Sequence, residues 1–290
     1  MTNPAGVVQV VGSINIDAAV RVERFPEPGE TVFGSSMGES LGGKGANQAL
    51  AAARRGARVR FVGAVGDDGH GSRAMDVLAT AGVDVGGIAV LHGRATGTAA
   101  IAVGATGENT IIVASGANSE IVVTAQDLGL AAADVVVAQG EVPHEAISAA
   151  ADASARSGAR FVLNLAPVIA LAPEVLAVAD PLVLNEHEAA ELGITASGGD
   201  WAAAAADAVG RLARSVVVTL GAEGAVYADP EGSGRVAAVP TDVVDTTGAG
   251  DAFVGALAAA LAAGGTLADA VGAGAEEAAR VVALPGASPA

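Results

Sequence analysis

Short apolar runs, each followed by a polar or glycine-rich loop and then by a helix-forming stretch, recur along this sequence. The runs lie at residues 6–12, 59–65, 135–139, 160–163, 182–184 and 215–219. Strands that alternate with helices in this way form a parallel sheet with helices on both faces. We therefore predict an α/β fold with a doubly wound, mainly parallel sheet, built as a single domain over residues 1–290.

Two segments interrupt the alternation. Residues 21–37 hold a Pro- and Gly-containing turn between two strand-like runs, and residues 96–104 and 109–114 are typical of a β-hairpin around 105–108. These short strands are enough for a second, small sheet. We predict a discontinuous β lid at about 14–40 and 94–116 that covers a ligand site.

Polar residues follow several of the predicted strands. Asn15 and Asp17 follow the first strand, Glu141 a central one, and Asn185 with Glu188 a later one. Ligands of open α/β sheets bind outside the carboxyl ends of the strands. A single polar strand end is also typical of a solvated turn, but several at one sheet edge indicate a binding site.

A glycine-rich turn at residues 42–45 opens the first predicted helix, which carries Lys44 and Asn47 in its first turns. The turn nearly matches a phosphate-binding loop. Gly45, however, stands where that loop needs a Ser or Thr hydroxyl for Mg²⁺. A complete Gly-x-Gly-x-x-Gly fingerprint is also missing, which counts against a dinucleotide site. The glycines instead allow a ligand to approach the backbone closely.

A second glycine turn, at residues 248–250, joins a valine-rich run over 236–244 to a helix marked by Phe253 and Leu257. Unpaired N–H groups and the helix dipole at such a position favour a phosphate or a developing oxyanion. Asp251 lies in the first turn. The local sequence fits two roles for it, a helix cap or a base that accepts a proton from an alcohol.

Charge and cysteine content exclude several classes of function. The chain has 32 acidic and 15 basic residues and a net charge of −17, which repels nucleic acid and anionic membranes. The absence of cysteine excludes disulfides, thiolate metal sites and a cysteine nucleophile. The four histidines lack metal-binding spacing and should be surface residues. The N-terminus lacks a positively charged signal region, so we expect a cytoplasmic protein.

Motifs spread over nearly the whole chain resemble, in order, those of the PfkB family of carbohydrate kinases. They are Gly-Ser-Ile-Asn-Ile-Asp at 12–17, Pro-Gly-Glu-Thr at 28–31, Gly-Gly-Lys-Gly-Ala-Asn-Gln-Ala at 42–49, Asn-x-x-Glu at 185–188 and Asp-Thr-Thr-Gly-Ala-Gly-Asp at 245–251. Thr-Gly-x-x-x-Ile-x-Val at 96–103 and Ser-Gly-Ala-Asn at 115–118 point to the branch of that family that phosphorylates ribose.

The resemblance implies a role for each matching residue. The residues implied in sugar binding are Asn15, Asp17, Gly43, Lys44, Asn47, Glu141 and Asp251. Asp251 would also be the catalytic base, and Gly248, Ala249 and Gly250 would form the anion hole. The residues implied in ATP binding are Asn185, Thr219, Gly221, Gly224 and Gly250. Glu188 would act on Mg²⁺ through water, and Asp245 with Thr247 would hold an activating K⁺.

The implied activity is ATP-dependent phosphorylation of D-ribose at its 5-hydroxyl by a sugar kinase that forms a homodimer through the lid. Other acceptors stay open, namely 2-deoxyribose, fructose and adenosine. A catalytically silent sugar-binding protein and a nicotinamide-dependent dehydrogenase are alternatives from other classes. The last helix departs from the family pattern, because Glu276 and Glu277 replace part of an alanine-rich run. We expect both carboxylates to face solvent.

Overall fold

The structure is a computed structural model that describes residues 6–106 and 108–284. The turn predicted at 105–108 includes Gly107, which lies outside the described residues, as do residues 1–5 at the N-terminus. Within the described ranges the chain forms thirteen strands and nine α-helices. The strands are β1 (Val7–Val11), β2 (Asn15–Arg21), β3 (Ser36–Gly42), β4 (Arg58–Gly66), β5 (Val83–Leu91), β6 (Gly97–Val103), β7 (Asn109–Ala114), β8 (Val135–Gln139), β9 (Arg160–Asn164), β10 (Leu182–Asn185), β11 (Val216–Thr219), β12 (Ala225–Asp229) and β13 (Gly232–Val236). The helices are α1 (Lys44–Arg54), α2 (Gly69–Thr80), α3 (Ala125–Leu128), α4 (His144–Ser157), α5 (Pro173–Val178), α6 (Glu186–Glu191), α7 (Trp201–Ala208), α8 (Ala249–Ala262) and α9 (Leu267–Val282).

The main sheet has nine strands in the order β13-β12-β11-β10-β9-β8-β1-β4-β5. Seven neighbouring strands of this sheet run parallel, namely β11, β10, β9, β8, β1, β4 and β5, and β12 and β13 add an antiparallel edge. One face packs on α1, α2, α8 and α9, and the other on α3 to α7. The predicted doubly wound, mainly parallel α/β fold is confirmed.

The register of the parallel strands aligns their polar ends. Gln139 at the end of β8 lies beside Asn164 at the end of β9, and Asn185 at the end of β10 lies beside Thr219. Because these strands are parallel, the four side chains lie on one edge of the sheet. The helices α1 and α8 begin at the same edge.

A second sheet of four strands has the order β3-β2-β6-β7. The β2–β3 and β6–β7 pairs are antiparallel, whereas β2 and β6 run parallel. All four strands fall within the segments predicted for the lid, apart from the last two residues of β3. The outer strand β7 is exposed along its whole length, including Ile111 and Ile112.

Three local features of the structure were not predicted from the sequence. The valine-rich run at 236–244 is not a strand, since β13 ends at Val236 and the following loop is tied to α9 by hydrogen bonds from Val244 N and Asp245 N to Val282 O. Asn15 and Asp17 follow β1, as predicted, and they are part of a strand of their own, β2. The strand β5 was not predicted, because Gly86 and Gly87 interrupt its apolar pattern.

The two acids of α9 have different surroundings. Glu276 faces solvent and pairs with Arg55, as expected. Glu277 is only 3% exposed, and it accepts hydrogen bonds from Arg54 and Arg280. The prediction that both face solvent is therefore wrong for Glu277. Burial alone would raise the pKa of Glu277, but the hydrogen bonds and charges of Arg280 and Arg54 hold that pKa below its ordinary value.

The four histidines lie at the surface, as predicted. No helix in the described part of the chain is long and apolar enough to cross a bilayer.

Candidate active site

Two cavities lie at the carboxyl edge of the main sheet. We call them the outer cavity, of about 510 Å³, and the inner cavity, of about 140 Å³. They are neighbours, because Glu141, which lines the outer cavity, accepts at Oε2 a 3.0 Å hydrogen bond from the backbone N–H of Lys44, which lines the inner cavity.

The inner cavity collects predicted residues from distant parts of the sequence. Those that line it are Lys44, Asn185, Glu188, Thr219, Gly248, Gly250 and Asp251. They come from α1, from the ends of β10 and β11, from α6 and from the start of α8. One small space therefore holds a cation, two carboxyl groups and a helix N-terminus.

The outer cavity contains two predicted residues, Asn15 and Glu141, together with hydroxyl and amide groups from Ser13, Ser115 and Asn118. Asn118 fixes the start of β2. Its Nδ2 donates to Ile14 O and to Asn15 Oδ1 at 2.9 and 2.8 Å, and its Oδ1 accepts from Ile14 N at 2.9 Å. The side chain of Asn15 is thereby oriented. A cavity lined in this way suits a ligand with several hydroxyl groups.

The N-terminus of α1 is closed by acceptors from the protein itself. Gly43 precedes the helix with φ of 87°, and a Cβ there would lie 2.9 Å from Asn15 N and Ser13 O, so only glycine fits. The first three helical N–H groups all have partners. Lys44 N donates to Glu141 Oε2 at 3.0 Å, Gly45 N to Ser13 Oγ at 3.4 Å and Ala46 N to Ser13 O at 3.0 Å.

The N-terminus of α8 is open. Gly248 precedes it in the left-handed conformation, with φ of 76° and ψ of 0°, and Ala249 N donates to Thr246 O at 3.3 Å. Within the described residues, the N–H groups of Gly250 and Asp251 have no acceptor. Both residues line the inner cavity. Two free N–H groups at the positive end of a helix dipole make this turn suitable for an anion.

Asp251 is 8% exposed and is held by two amides. Asn47 Nδ2 donates to its Oδ2, and Gln48 Nε2 donates to its Oδ1, each at 3.0 Å. Burial raises the pKa of Asp251, while the Lys44 charge and the two amide donors oppose that rise. A buried carboxyl group with a raised pKa and fixed orientation, at the wall of a cavity, has the properties of a general base.

Asp17 is half-buried on β2, where the charges of Glu141 and Asp251 act on it. Burial raises its pKa to about 6, with further contributions from the negative charges of Glu141 and Asp251. Its carboxylate therefore carries an electrostatic cost that hydroxyl donors of a ligand would reduce.

Asn185 and Glu188 form a capping box at the start of α6. Asn185 N donates to Glu188 Oε2, and Glu188 N donates to Asn185 Oδ1, both at 2.8 Å. Burial raises the pKa of Glu188 despite this hydrogen bond and the nearby charge of Lys44. The described residues contain no group of three or more His, Cys, Asp or Glu side chains placed to hold a metal ion. A divalent ion at Glu188 would therefore take most of its ligands from phosphates and water, which is the usual preference of Mg²⁺.

The remaining predicted residues line neither cavity. They are Asp17, Gly43, Asn47, Gly221, Gly224, Asp245, Thr247 and Ala249. Asn47 touches Asp251 directly. Gly221 begins a 3₁₀ turn after β11 and Gly224 follows that turn; both have positive φ, and a Cβ on Gly224 would lie 2.6 Å from Ala238 N. Asp245 precedes α8, and its Oδ1 accepts from Thr247 N at 2.8 Å.

Several residues of the site were not predicted. Gln48 contacts Asp251, and Gln139 and Asn164 contact Gln48. The polarity of strand ends could have found Gln139 and Asn164, since Gln139 ends one predicted strand and Asn164 directly follows another. Ser13 lies within a motif quoted above, but only the fold shows that its hydroxyl donates to Glu141, at 2.6 Å.

Comparisons with known proteins agree with this geometry. Residues 7–290 match the family model described as pfkB family carbohydrate kinase. The chain is 38% identical to a ribokinase of Haemophilus influenzae, over 87% of this chain and 84% of the relative. It is also 38% identical to a ribokinase of Mus musculus, over 89% of this chain and 82% of the relative.

Solved structures show the same fold. The structure of Arabidopsis thaliana ribokinase complexed with ribose and ATP superposes with a TM-score of 0.90 and 31% identity, over 98% of this chain and 95% of that one. Adenosine kinase from Sinorhizobium meliloti, at 23% identity, shares the fold with a TM-score of 0.80, over 98% of this chain and 96% of that one.

Proposed function

Since this chain belongs to the PfkB family of carbohydrate kinases and is a sugar kinase, we propose that it transfers the γ-phosphoryl group of ATP to the 5-hydroxyl of D-ribose. The observation that carries this proposal is the inner cavity, where the Asp251 carboxylate lies beside two unpaired helix N–H groups. Ribokinases at up to 38% identity over most of the chain support ribose as the acceptor.

The sugar binds where the outer and inner cavities meet. Asn15, Asp17 and Glu141 offer oxygen acceptors for sugar hydroxyls, and Asn47 offers amide groups beside Asp251. Gly43 allows the tight turn that brings the start of α1 against Ser13 and Asn15. None of the described residues that line the outer cavity is Phe, Tyr or Trp. The lining therefore favours a bare sugar over a nucleoside such as adenosine, whose base would stack on an aromatic side chain.

Asp251 accepts the proton of the attacking 5-hydroxyl. Its carboxylate is fixed by Asn47 and Gln48, so a hydroxyl placed beside it can transfer its proton as the oxygen attacks phosphorus. The raised pKa makes the carboxylate a stronger base than an exposed aspartate. Phosphoryl transfer requires mainly positioning and charge stabilisation, so one base and one anion site are sufficient protein groups.

The turn at Gly248, Ala249 and Gly250 stabilises the negative charge that develops on the transferring group. Gly250 and Asp251, whose N–H groups are free, line the inner cavity, and exclusion of water on closure would make these dipoles act more strongly. Lys44 supplies a positive charge in the same cavity.

ATP binds along the edge formed by the ends of β10 and β11. Asn185 and Thr219 line the inner cavity on the phosphate side, and Gly221 and Gly224 border the crevice after β11. Glu188 would hold Mg²⁺ through water, and the ion would supply charge neutralisation of the phosphates. Asp245 and Thr247, next to the anion-binding turn, would hold K⁺ together with backbone carbonyls.

The second sheet serves as a lid and as a dimer interface. Val113 at the end of β7 and Ser115 after it line the outer cavity, so closure of this sheet would shield the sugar from water. Ile111 and Ile112 are 51% and 69% exposed, which suits burial against a second copy. Light scattering should show a dimer that Ile112→Lys dissociates. Val122→Lys, at an exposed apolar residue outside this sheet, should leave the dimer intact.

The experiment that tests the activity measures ADP release from Mg-ATP with D-ribose, 2-deoxyribose, fructose and adenosine, in K⁺ and in Na⁺. We expect the highest kcat/KM with ribose and stimulation by K⁺. Faster turnover of another acceptor would replace ribose, and equal rates in both salts would remove the K⁺ site. Ribose binding without ADP release would identify a silent binding protein instead.

A further inference from the structure

Gln48 is fully buried in α1 and makes three side-chain hydrogen bonds. Its Nε2 donates to Asp251 Oδ1 and to Asn164 Oδ1, both at 3.0 Å. Its Oε1 accepts from Gln139 Nε2 at 2.8 Å. One amide thus connects α1 to α8 and to the ends of two strands of the main sheet, β8 and β9.

These hydrogen bonds form a network that ends in two acceptors, Val183 O and the Asp251 carboxylate, and these two ends determine which group donates in each bond. Asn164 Nδ2 donates to Val183 O at 3.2 Å, and a backbone carbonyl can only accept. Asn164 must therefore present its oxygen to Gln48. An ionised Asp251 can also only accept, so both contacts require the nitrogen of Gln48. A flipped Gln48 amide would place its oxygen against two oxygens, which the buried site would strongly disfavour.

This arrangement defines the geometry of Asp251. One oxygen of its carboxylate accepts from Asn47 and the other from Gln48. With an amide donor on each oxygen, the plane of the carboxylate is fixed at the wall of the inner cavity. The Gln48 donor is itself held in place by Gln139 and Asn164, so the orientation of Asp251 is transmitted from the sheet rather than set by one flexible side chain.

We propose that Gln48 is a positioning residue that orients the Asp251 carboxylate for proton acceptance, and that Gln139 acts on Asp251 only through Gln48. The inference rests on the proposed role of Asp251 as the base. The titratable groups that face Asp251 are Lys44 on α1, Glu141 after β8 and Asp17 on β2, and they are the same in every variant compared below.

The first test replaces Gln48 by Met, which has a similar length and no amide. Removing a hydrogen bond to a charged group predicts a fall in kcat of about tenfold to a hundredfold, with the KM for ATP changed by less than about twofold. Because the lost donor favours the ionised carboxylate, the acid limb of the kcat profile should move up by about one pH unit. An acid limb at the wild-type pH would overturn the inference even if kcat fell.

The second test separates transmission through Gln48 from general damage to the core. Gln139→Leu should lower kcat about threefold to tenfold, and the double variant with Gln48→Met should match Gln48→Met alone within about twofold. Multiplicative effects would contradict action through Gln48. Gln9→Leu is the matched control, because Gln9 is a buried glutamine of β1 whose amide donates to Leu128 O away from the site. It should lower thermal stability without moving the pH profile.

A third measurement does not depend on turnover. Carboxyl ¹³C NMR can follow the titration of Asp251, identified by its absence in Asp251→Asn. The titration midpoint should rise by about one pH unit in Gln48→Met and stay unchanged in Gln9→Leu. An unmoved midpoint in Gln48→Met overturns the inference whether or not the protein is a ribose kinase. Absence of sugar-dependent ADP release from the wild-type protein would instead refute the proposed function.

Discussion

The two helices that meet at the site, α1 and α8, begin in the same way and end up with opposite properties. Each follows a glycine with positive φ, Gly43 at 87° and Gly248 at 76°. Because glycine has no side chain, neither helix has a side-chain hydrogen bond from its N-cap residue. Any helix N-terminus favours an anion, although the sequence predicts an anion site only at the turn 248–250 and a close approach of a ligand to the backbone at the turn 42–45.

Only α8 keeps that capacity. The first three N–H groups of α1 are taken by Glu141 and Ser13, so a carboxylate of the protein already occupies the anion position. At α8 the N–H groups of Gly250 and Asp251 have no acceptor among the described residues. The difference teaches that the availability of a helix N-terminus is decided by what the neighbouring strand ends supply, not by the turn itself.

The two helices also bring opposite charges to the inner cavity. The first turn of α1 carries Lys44, and that of α8 carries Asp251. Burial raises the pKa of Asp251, and the Lys44 charge opposes part of that rise. In the proposed reaction, the closed helix would supply substrate contacts and a cation, and the open helix the base and the anion site.

The largest effect should come from Asp251→Asn in the open helix. The variant keeps size and polarity but loses proton acceptance, so kcat should fall by about a hundredfold to ten-thousandfold while sugar affinity is nearly retained. Steady-state ADP release and calorimetric binding of ribose measure the two quantities. An unchanged kcat would remove Asp251 from the role of base.

Alanine at the two helix-start glycines should separate their functions. Gly43→Ala combines a left-handed residue with a Cβ 2.9 Å from two backbone atoms, so we expect a loss of about 2–4 kcal/mol in the free energy of unfolding. Gly248→Ala should cost about 1–2 kcal/mol and lower kcat about tenfold, because it distorts the anion-binding turn. Denaturant unfolding and steady-state kinetics of both variants provide the measurements.

Gly264→Ala is the matched control for Gly248→Ala. Gly264 follows α8 with φ of 87°, and a Cβ there would meet no atom within 4 Å. It should show a similar loss of stability with an unchanged kcat. Equal kcat values for Gly248→Ala and Gly264→Ala would contradict an anion-binding role for the 248–250 turn.

The sequence predicts the main sheet well because parallel strands are buried on both faces and therefore consist of continuous apolar runs. Strands β1, β8 and β11 each correspond to such a run. It predicts β5 poorly, since Gly86 and Gly87 remove the pattern. The valine-rich run after Val236 was also misleading, because whether such a run forms a strand depends on a partner strand that no local pattern shows.

For the site, the sequence predicts which residue types matter but not how they are partnered. Glu141 stands at a polar strand end, yet its hydrogen bond to Lys44 N across 97 positions is a property of the fold. The burial of Glu277 likewise depends on Arg54, which lies on another helix. Long-range partners decide which polar residues are available to a ligand.

Glu141 itself tests the closed helix start. Glu141→Ala removes the acceptor of Lys44 N and Ser13 Oγ, so we expect a loss of about 1–2 kcal/mol in the free energy of unfolding. Glu141→Gln retains an acceptor oxygen and should lose less than about 1 kcal/mol. Sulfate should raise the Tm of Glu141→Ala more than that of the wild type, because the α1 N-terminus becomes open. An equal sulfate effect in both would show that the two helix starts do not differ in the way described.

Asp17, on β2, gives the smallest expected effect, a dependence on pH. Its pKa is raised from 3.8 to about 6 by burial, Glu141 and Asp251. Between these values the folded protein holds a proton that the unfolded chain has lost, so stability should fall as the pH rises through this window. Asp17→Asn should remove this dependence and stabilise the protein at pH 7 by about 1 kcal/mol, a value reduced for solvent screening.

Sugar binding should change in the opposite direction, because hydroxyl donors favour the ionised carboxylate. The KM for ribose should fall roughly threefold to tenfold as the pH rises from 5 to 7, with a midpoint near the Asp17 pKa of about 6. Glu141→Gln removes one of the like charges that raise this pKa, so the midpoint should move to lower pH. A KM that does not change over this range, or a midpoint that is the same in Glu141→Gln, would show that the charge of Glu141 does not affect the ionisation of Asp17.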